Sequence, residues 1–334
     1  LGEADPNAGP NLLAAQARFP VVAPDEMRGG ALPGRSLGEV HTWLAERLGD
    51  YGEGAGLLPP SAWLERFRTA FDSDAPAEEL ITFDNVALAL GEYQRSAVFV
   101  ESPWSHYVRG DLDAIGPEAK RGALLFFNTV EDDGMNCVLC HAGDRFTNLE
   151  HRRIGFPQIG PGFGDGLNDD FGRERETGQA ADHRAFRVPS LLNIAQTAPY
   201  GHSGMYNSLG NVMGHYFNPD GTVISQMIGR TWCALPPFDT QPDCEDGADV
   251  AFDNSRAALA TMQAERIERP DIAMPQIPTA LSAQENFDAL ETFLEALTDP
   301  CLLDPACYGR WTPTPVEAPD DLQLNAVDAE GRPL

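Results

Sequence analysis

The chain has 334 residues, 42% of them hydrophobic, with 27 prolines, 32 glycines and a formal net charge of −28. That length and apolar content suit about two globular domains with long irregular connections. The negative charge argues against nucleic acid, whose phosphates it would repel, and against anionic membrane surfaces. No run of about 18 apolar residues is present, so no membrane insertion is expected. The opening LGEADPNAGP has neither the basic nor the apolar region of a signal peptide, so any leader is expected to be removed or to lie upstream.

Helical punctuation dominates in chain order, and no convincing alternating strand runs are visible. SLGEVHTWLAERLGD places Ser36 and Glu39 in capping-box spacing and Val40, Trp43, Leu44 and Leu48 on one face. SAWLERFRTAF suggests a second such start at Ser61 and Glu65, packing Trp63, Leu64, Phe67 and Phe71. TFDNVALALGEYQRSAVF and GPEAKRGALLFFN follow as amphipathic helices. SLGNVMGHYF reads as a short helix capped by Ser208 with Leu209, Val212, Met213 and Tyr216 on one apolar face. SAQENFDALETFLEALTDP is a further helix, with Ser282 as its cap and Pro300 as its stop. Stretches 155–182 and 233–280 are rich in Gly, Asp and Pro and are expected to be long loops, and the tail from 312 to be extended. The fold class is therefore mainly α.

The stretch NCVLCHAGDRFTN contains Cys137-x-x-Cys140-His141, the attachment signature of c-type haem. Each thiol can add across one vinyl group of the porphyrin, and the adjoining imidazole then ligates the iron. A zinc site would need a second ligand pair of similar spacing, and a redox dithiol a βαβ setting; neither pattern is present. Of the other cysteines, Cys233 and Cys244, and Cys301 and Cys307, stand close in sequence and suggest two short-loop disulfides. Disulfides and covalent haem together imply an oxidising compartment outside the cytoplasm.

The sixth position of a haem iron decides whether the site carries electrons or activates peroxide. TAPYGHSGMYNSLGNVMGHYFNP, residues 197–219, offers His202, Met205, Met213, His215 and Tyr216, and sequence separation does not choose among them.

Four segments, LLAAQARFPVVAPDEMRG, NCVLCH, AFRVPSLLNIAQTAPYGHSGMYNSLGNVMGHY and ALETFLEALTDP, resemble in order the bacterial dihaem cytochrome c peroxidase and MauG family. The resemblance implies a cytochrome c-like haem fold, with His141 as proximal ligand of the family's electron-transferring haem. It puts the distal ligand fourteen residues after His202, at Tyr216, with Met213 as the conservative alternative. A phenolate is a hard donor that favours oxidised iron. Arg187 matches a basic position suited to a haem propionate. Thr197 and Pro199 match positions whose carbonyls bind calcium in the family. Gln16, Pro20 and Glu26 match the distal side of the peroxide-reducing haem, where Glu26 would move protons during O–O cleavage and Gln16 would orient it.

Family members carry two CxxCH motifs and this chain has one, so a second haem c is expected in an intact, longer protein. By the same analogy residues 1–115 would be the remnant of the peroxidatic domain, 116–298 the complete haem domain, and 299–334 an extension packing back on the first. The resulting reading is a periplasmic MauG-like dihaem c-type peroxidase or oxidase, reducing hydrogen peroxide with electrons from a small redox protein or a protein substrate. A monohaem electron-transfer protein without peroxidase activity is the alternative, and a zinc-binding module a third.

Overall fold

The computed structural model describes residues 9–23, 26–59, 61–160, 164, 169–234, 238, 244, 248–274, 277, 279–281 and 283–312. The fold is mainly α and divides into two compact units. The described residues of Leu1–Val98 and Asp304–Leu334 form one, and Phe99–Leu303 the other.

The first unit contains α1 (Leu12–Gln16), α2 (Leu37–Gly49), α3 (Trp63–Phe71), α4 (Ala77–Leu80) and α5 (Phe83–Ser96). The capping box expected at α2 is present in both halves. Ser36 Oγ accepts from Glu39 N at 3.4 Å, and the Glu39 carboxylate accepts from Ser36 N at 2.8 Å. The same device fails at α3, where Ala62 occupies the cap without a side-chain bond. Glu65 stands one residue too far from Ser61 to reciprocate and instead pairs with Arg68 at 2.8 Å. Ala17, Ala45, Phe83 and Ala87 form one small buried cluster, and Phe67, Leu80 and Ile81 a second. The returning C-terminal segment is held by Tyr93 donating to the Trp311 carbonyl and by Trp311 Nε1 donating to Ser96 Oγ.

The second unit contains α6 (Pro103–Val108), α7 (Pro117–Phe127), α8 (Glu174–Thr177), α9 (Leu209–Phe217), α10 (Pro219–Gly229), α11 (Ala248–Glu268) and α12 (Gln284–Glu295). Helices α7 and α12 pack so closely that a Cβ on Gly122 would fall inside the carbonyl of Ala289. Phe126, Phe127, Phe146 and Phe293 interlock beside that contact, and Trp104 of α6 stacks on Phe127 and meets Phe293 edge-on. The expected boundary at 115 thus falls inside this unit, because Trp104 belongs to its aromatic core. Residues 299–303 belong to it too, with the Asp299 carboxylate accepting from Glu101 N at 2.9 Å.

Stretch 233–280, expected as loop, contains the 21-residue helix α11. Its buried face runs through Ala251, Ser255, Ala258, Leu259, Met262 and Glu265, at helical spacing. Ser255 and Glu265 break the apolar stripe, which hides the period from a sequence reading. Both are satisfied in place: Ser255 Oγ accepts from Gln158 N at 2.9 Å, and Glu265 accepts from Arg153 N at 3.3 Å. The cap expected at Ser282 lies outside the described residues, and Ala283 precedes α12. A two-stranded antiparallel sheet, β1 (His151–Arg152) with β2 (Phe186–Arg187), pairs His151 with Arg187 and Arg152 with Phe186.

Candidate functional site

A cavity of about 450 Å³ opens in the second unit, walled mostly by apolar side chains of α7, α9 and α12 and by the 186–202 segment. Cys137, Cys140 and His141 line it, together with Arg187, Thr197, Pro199, His202, Met213 and Tyr216. The haem-binding expectation therefore converges on one space. Gln16, Pro20 and Glu26 belong to the first unit and do not line it. Gln16 and Glu26 are exposed, and Gln16 is the last residue of α1.

Local bonding sets the CxxCH segment. Cys137–Leu139 is a single 3-10 turn, and His141 N donates to the Cys137 carbonyl at 3.0 Å. This turn brings both thiols and the imidazole to the cavity. The thiols of Cys137 and Cys140 are free, whereas Cys233 and Cys244 form a disulfide and Cys301 and Cys307 are disulfide-bonded as well. Burial pushes the Cys137 thiol up to about 12 and raises that of Cys140, which Arg152 beside it counteracts. His141 Nδ1 bonds the Phe146 carbonyl at 3.0 Å, which makes Nδ1 the protonated nitrogen and leaves Nε2 with its lone pair. Burial lowers the His141 pKa, so the ring stays neutral and able to ligate.

The opposite wall is α9, started by Ser208 accepting from Asn211 N at 3.2 Å. Leu209, Val212, Met213, Tyr216 and Phe217 all line the cavity, the one-face pattern expected of this helix. Burial raises the Tyr216 phenol, with the two haem-motif thiols adding to the effect, so Tyr216 lies near Cys140 and Cys137. His215 points away. Its Nε2 bonds the Ile154 carbonyl at 2.7 Å and its Nδ1 bonds Tyr206 at 2.9 Å, so neither ring nitrogen is available for a metal. Met205 is buried and does not line the cavity. The five sequence candidates thereby reduce to Met213, Tyr216 and His202.

His202 stacks on Phe186 with ring centroids 3.7 Å apart, and burial pushes its pKa down to about 4. Its Nδ1 and the Nε of Arg152 are buried polar atoms of the cavity wall with no hydrogen-bond partner. Arg152 is buried and ion-paired with Glu150, while Arg187 is exposed at the cavity's rim. Sequence reading singled out Arg187 and missed Arg152. Only the pairing of β1 with β2 brings Arg152 to the site, and no local spacing announces it.

Free thiols at the attachment spacing, a neutral imidazole beside them, an apolar cavity and two orphaned buried nitrogens together fit a c-type haem. Among the described residues no group of three or more His, Cys, Asp or Glu side chains could hold a metal ion, so a calcium at Thr197 and Pro199 would rest on backbone carbonyls.

Comparison with known proteins agrees. The family described as di-haem cytochrome c peroxidase matches residues 7–113, the part containing Gln16, Pro20 and Glu26. Methylamine utilization protein MauG of Methylorubrum extorquens is 35% identical over 206 residues, covering 61% of this chain and 48% of the relative. Cytochrome c551 peroxidase of Pseudomonas aeruginosa is 32% identical over 142 residues, covering 42% of this chain and 38% of the relative. The chain thus spans half or less of the length of these curated relatives. The crystal structure of a MauG-like protein associated with microbial copper homeostasis superposes with a TM-score of 0.54 at 21% identity, covering 87% of this chain and 70% of that one, and so shares the fold. By these matches and by its haem-binding motif, the chain is similar to the dihaem cytochrome c peroxidase and MauG family over the stretches matched.

Proposed function

We propose that this chain is part of a periplasmic MauG-like dihaem peroxidase or oxidase that reduces hydrogen peroxide with electrons from a small redox protein or a protein substrate. The cavity uniting Cys137, Cys140, His141 and Tyr216 is the observation that carries the reading. Cys137 and Cys140 would hold haem c through thioethers, and His141 Nε2 would ligate from the proximal side. Bound there, haem supplies one-electron redox chemistry. Tyr216 is assigned the sixth position, with Met213, one turn earlier on the same face, as the alternative. The apolar walls would exclude water, and Arg187, exposed and lining the cavity, is assigned to meet a propionate. The disulfides support an oxidising location. No helix among the described residues is long and apolar enough to cross a membrane.

Glu26, an exposed carboxylate, is assigned the acid–base role in peroxide cleavage, with Gln16 and Pro20 shaping its surroundings. That role requires a second haem in the intact protein. Calcium at Thr197 and Pro199 belongs to the same proposal.

The test counts covalent haem per chain by intact mass and pyridine haemochrome, then titrates the native protein with peroxide. Two haems with catalytic peroxide consumption support the enzyme. One haem that only bleaches supports the monohaem electron carrier instead. For the sixth ligand, Tyr216→Met is expected to raise the haem potential by roughly 0.1 V or more; an unchanged spectrum and potential would exclude Tyr216.

A further inference from the structure

Behind the cavity wall lies a buried pair that the proposed chemistry does not use. Tyr206 is 1% and His215 0% exposed, and the Tyr206 hydroxyl is 2.9 Å from His215 Nδ1. The partner of His215 Nε2 is the Ile154 carbonyl, which only accepts, so Nε2 carries the proton and donates it at 2.7 Å. Nδ1 is therefore the lone-pair nitrogen, and Tyr206 O–H donates to it. A phenol aimed at an imidazole lone pair in a dry interior has one place to send its proton.

The pair is also next to the cavity. Phe156, a lining residue, meets Tyr206 edge-on at 5.6 Å between centroids, His215 at 4.5 Å and Tyr216 at 6.0 Å. Tyr206 is thus one ring removed from the space assigned to haem. Tyr200 gives the contrast. It lines the cavity itself, but its hydroxyl donates to the Ile194 carbonyl at 2.9 Å, a far weaker base than imidazole.

We propose that Tyr206 is a one-electron relay whose phenolic proton shifts to His215 Nδ1 as its electron leaves for the cofactor in the adjoining cavity. The inference rests on the reading that this cavity binds haem. In the step, Tyr206 loses one electron, for which an oxidised haem held in that cavity would be the one-electron acceptor. The Tyr206 O–H bond breaks and an N–H bond forms at His215 Nδ1. The products are a neutral phenoxyl and an imidazolium that still donates Nε2–H to Ile154. An electron from an external redox protein restores the phenol as the proton returns. Burial of both partners keeps the proton from escaping to water, which makes the exchange reversible. The fixed hydrogen bond removes the need to create a bare phenol cation, which is the costly route to tyrosine oxidation in an apolar interior.

The experiment uses the haem-loaded ferric protein and a photogenerated ruthenium(III) tris-bipyridine oxidant, with freeze-trapped EPR as the readout. A tyrosyl signal that narrows on ring deuteration is expected, reduced at least tenfold in Tyr206→Phe, which retains the ring packing. His215→Gln, which leaves Tyr206 without an imidazole, is expected to lower the signal by a similar factor. No tyrosyl signal, or one undiminished in Tyr206→Phe, overturns the proposal; a signal undiminished in His215→Gln removes the proton acceptor from it. Matching circular dichroism and haem spectra establish that each variant is folded. Because the oxidant acts without peroxide, the two readings fail separately. A Tyr206 signal in a protein that does not turn over peroxide supports the relay and removes the peroxidase; turnover without the signal does the reverse.

Discussion

The haem-motif wall and the Gln16–Glu26 segment are built on opposite principles. Cys137, Cys140 and His141 are delivered to a cavity by one 3-10 turn, and the Phe146 carbonyl fixes the imidazole. Glu26 and Gln16 stand exposed, and the described residues 17–22 that follow α1 form turns and a bend. The first arrangement is complete within a few residues of backbone. The second acquires chemistry only if a partner group is brought to it, so the two regions should respond differently to mutation.

The largest effect separates them directly. Cys137→Ser with Cys140→Ser should abolish covalent haem on this chain, seen as loss of the haem mass and of the pyridine haemochrome signal. Haem retained covalently would break the comparison at its firmer end. Glu26→Gln, in the intact protein, should lower peroxide turnover by roughly 100-fold or more while the spectrum of the haem at His141 stays unchanged. Unchanged turnover would take Glu26 out of the mechanism.

Smaller effects sharpen the picture of the haem unit's frame. Gly122→Ala should destabilise the protein by about 1–3 kcal/mol, because the new methyl must displace the Ala289 carbonyl where α7 and α12 cross. Denaturant unfolding of the two proteins measures it. His202 has a pKa pushed from about 6.5 down to about 4, so the unfolded chain binds more protons between those values. Stability should therefore fall as pH drops through that window, by about 1–3 kcal/mol at its lower end. His202→Phe should flatten this acid limb, and a melting temperature that declines identically in both proteins would exclude His202 as its source.

The sequence by itself determined everything that depends on neighbours along the chain. Cys137-x-x-Cys140-His141 specifies an attachment site because its spacing closes within one turn. Ser208 and the 209, 212, 213, 216 stripe specify α9 and its cavity face because a helix has a fixed period. The same logic found α2, α5, α7 and α12, and it misled at Ser61, where the carboxylate stood one residue too far along. Tertiary structure decided whatever depends on residues brought together from afar. Helix α11 escaped notice because its buried Ser255 and Glu265 are satisfied by the distant Gln158 and Arg153 backbone. Arg152 reaches the cavity through strand pairing. His215, a plausible iron ligand on spacing alone, is withdrawn by Ile154 and Tyr206. A side chain's identity shows what it can bond to, but which of its lone pairs and protons remain free is set by partners that only the folded chain supplies.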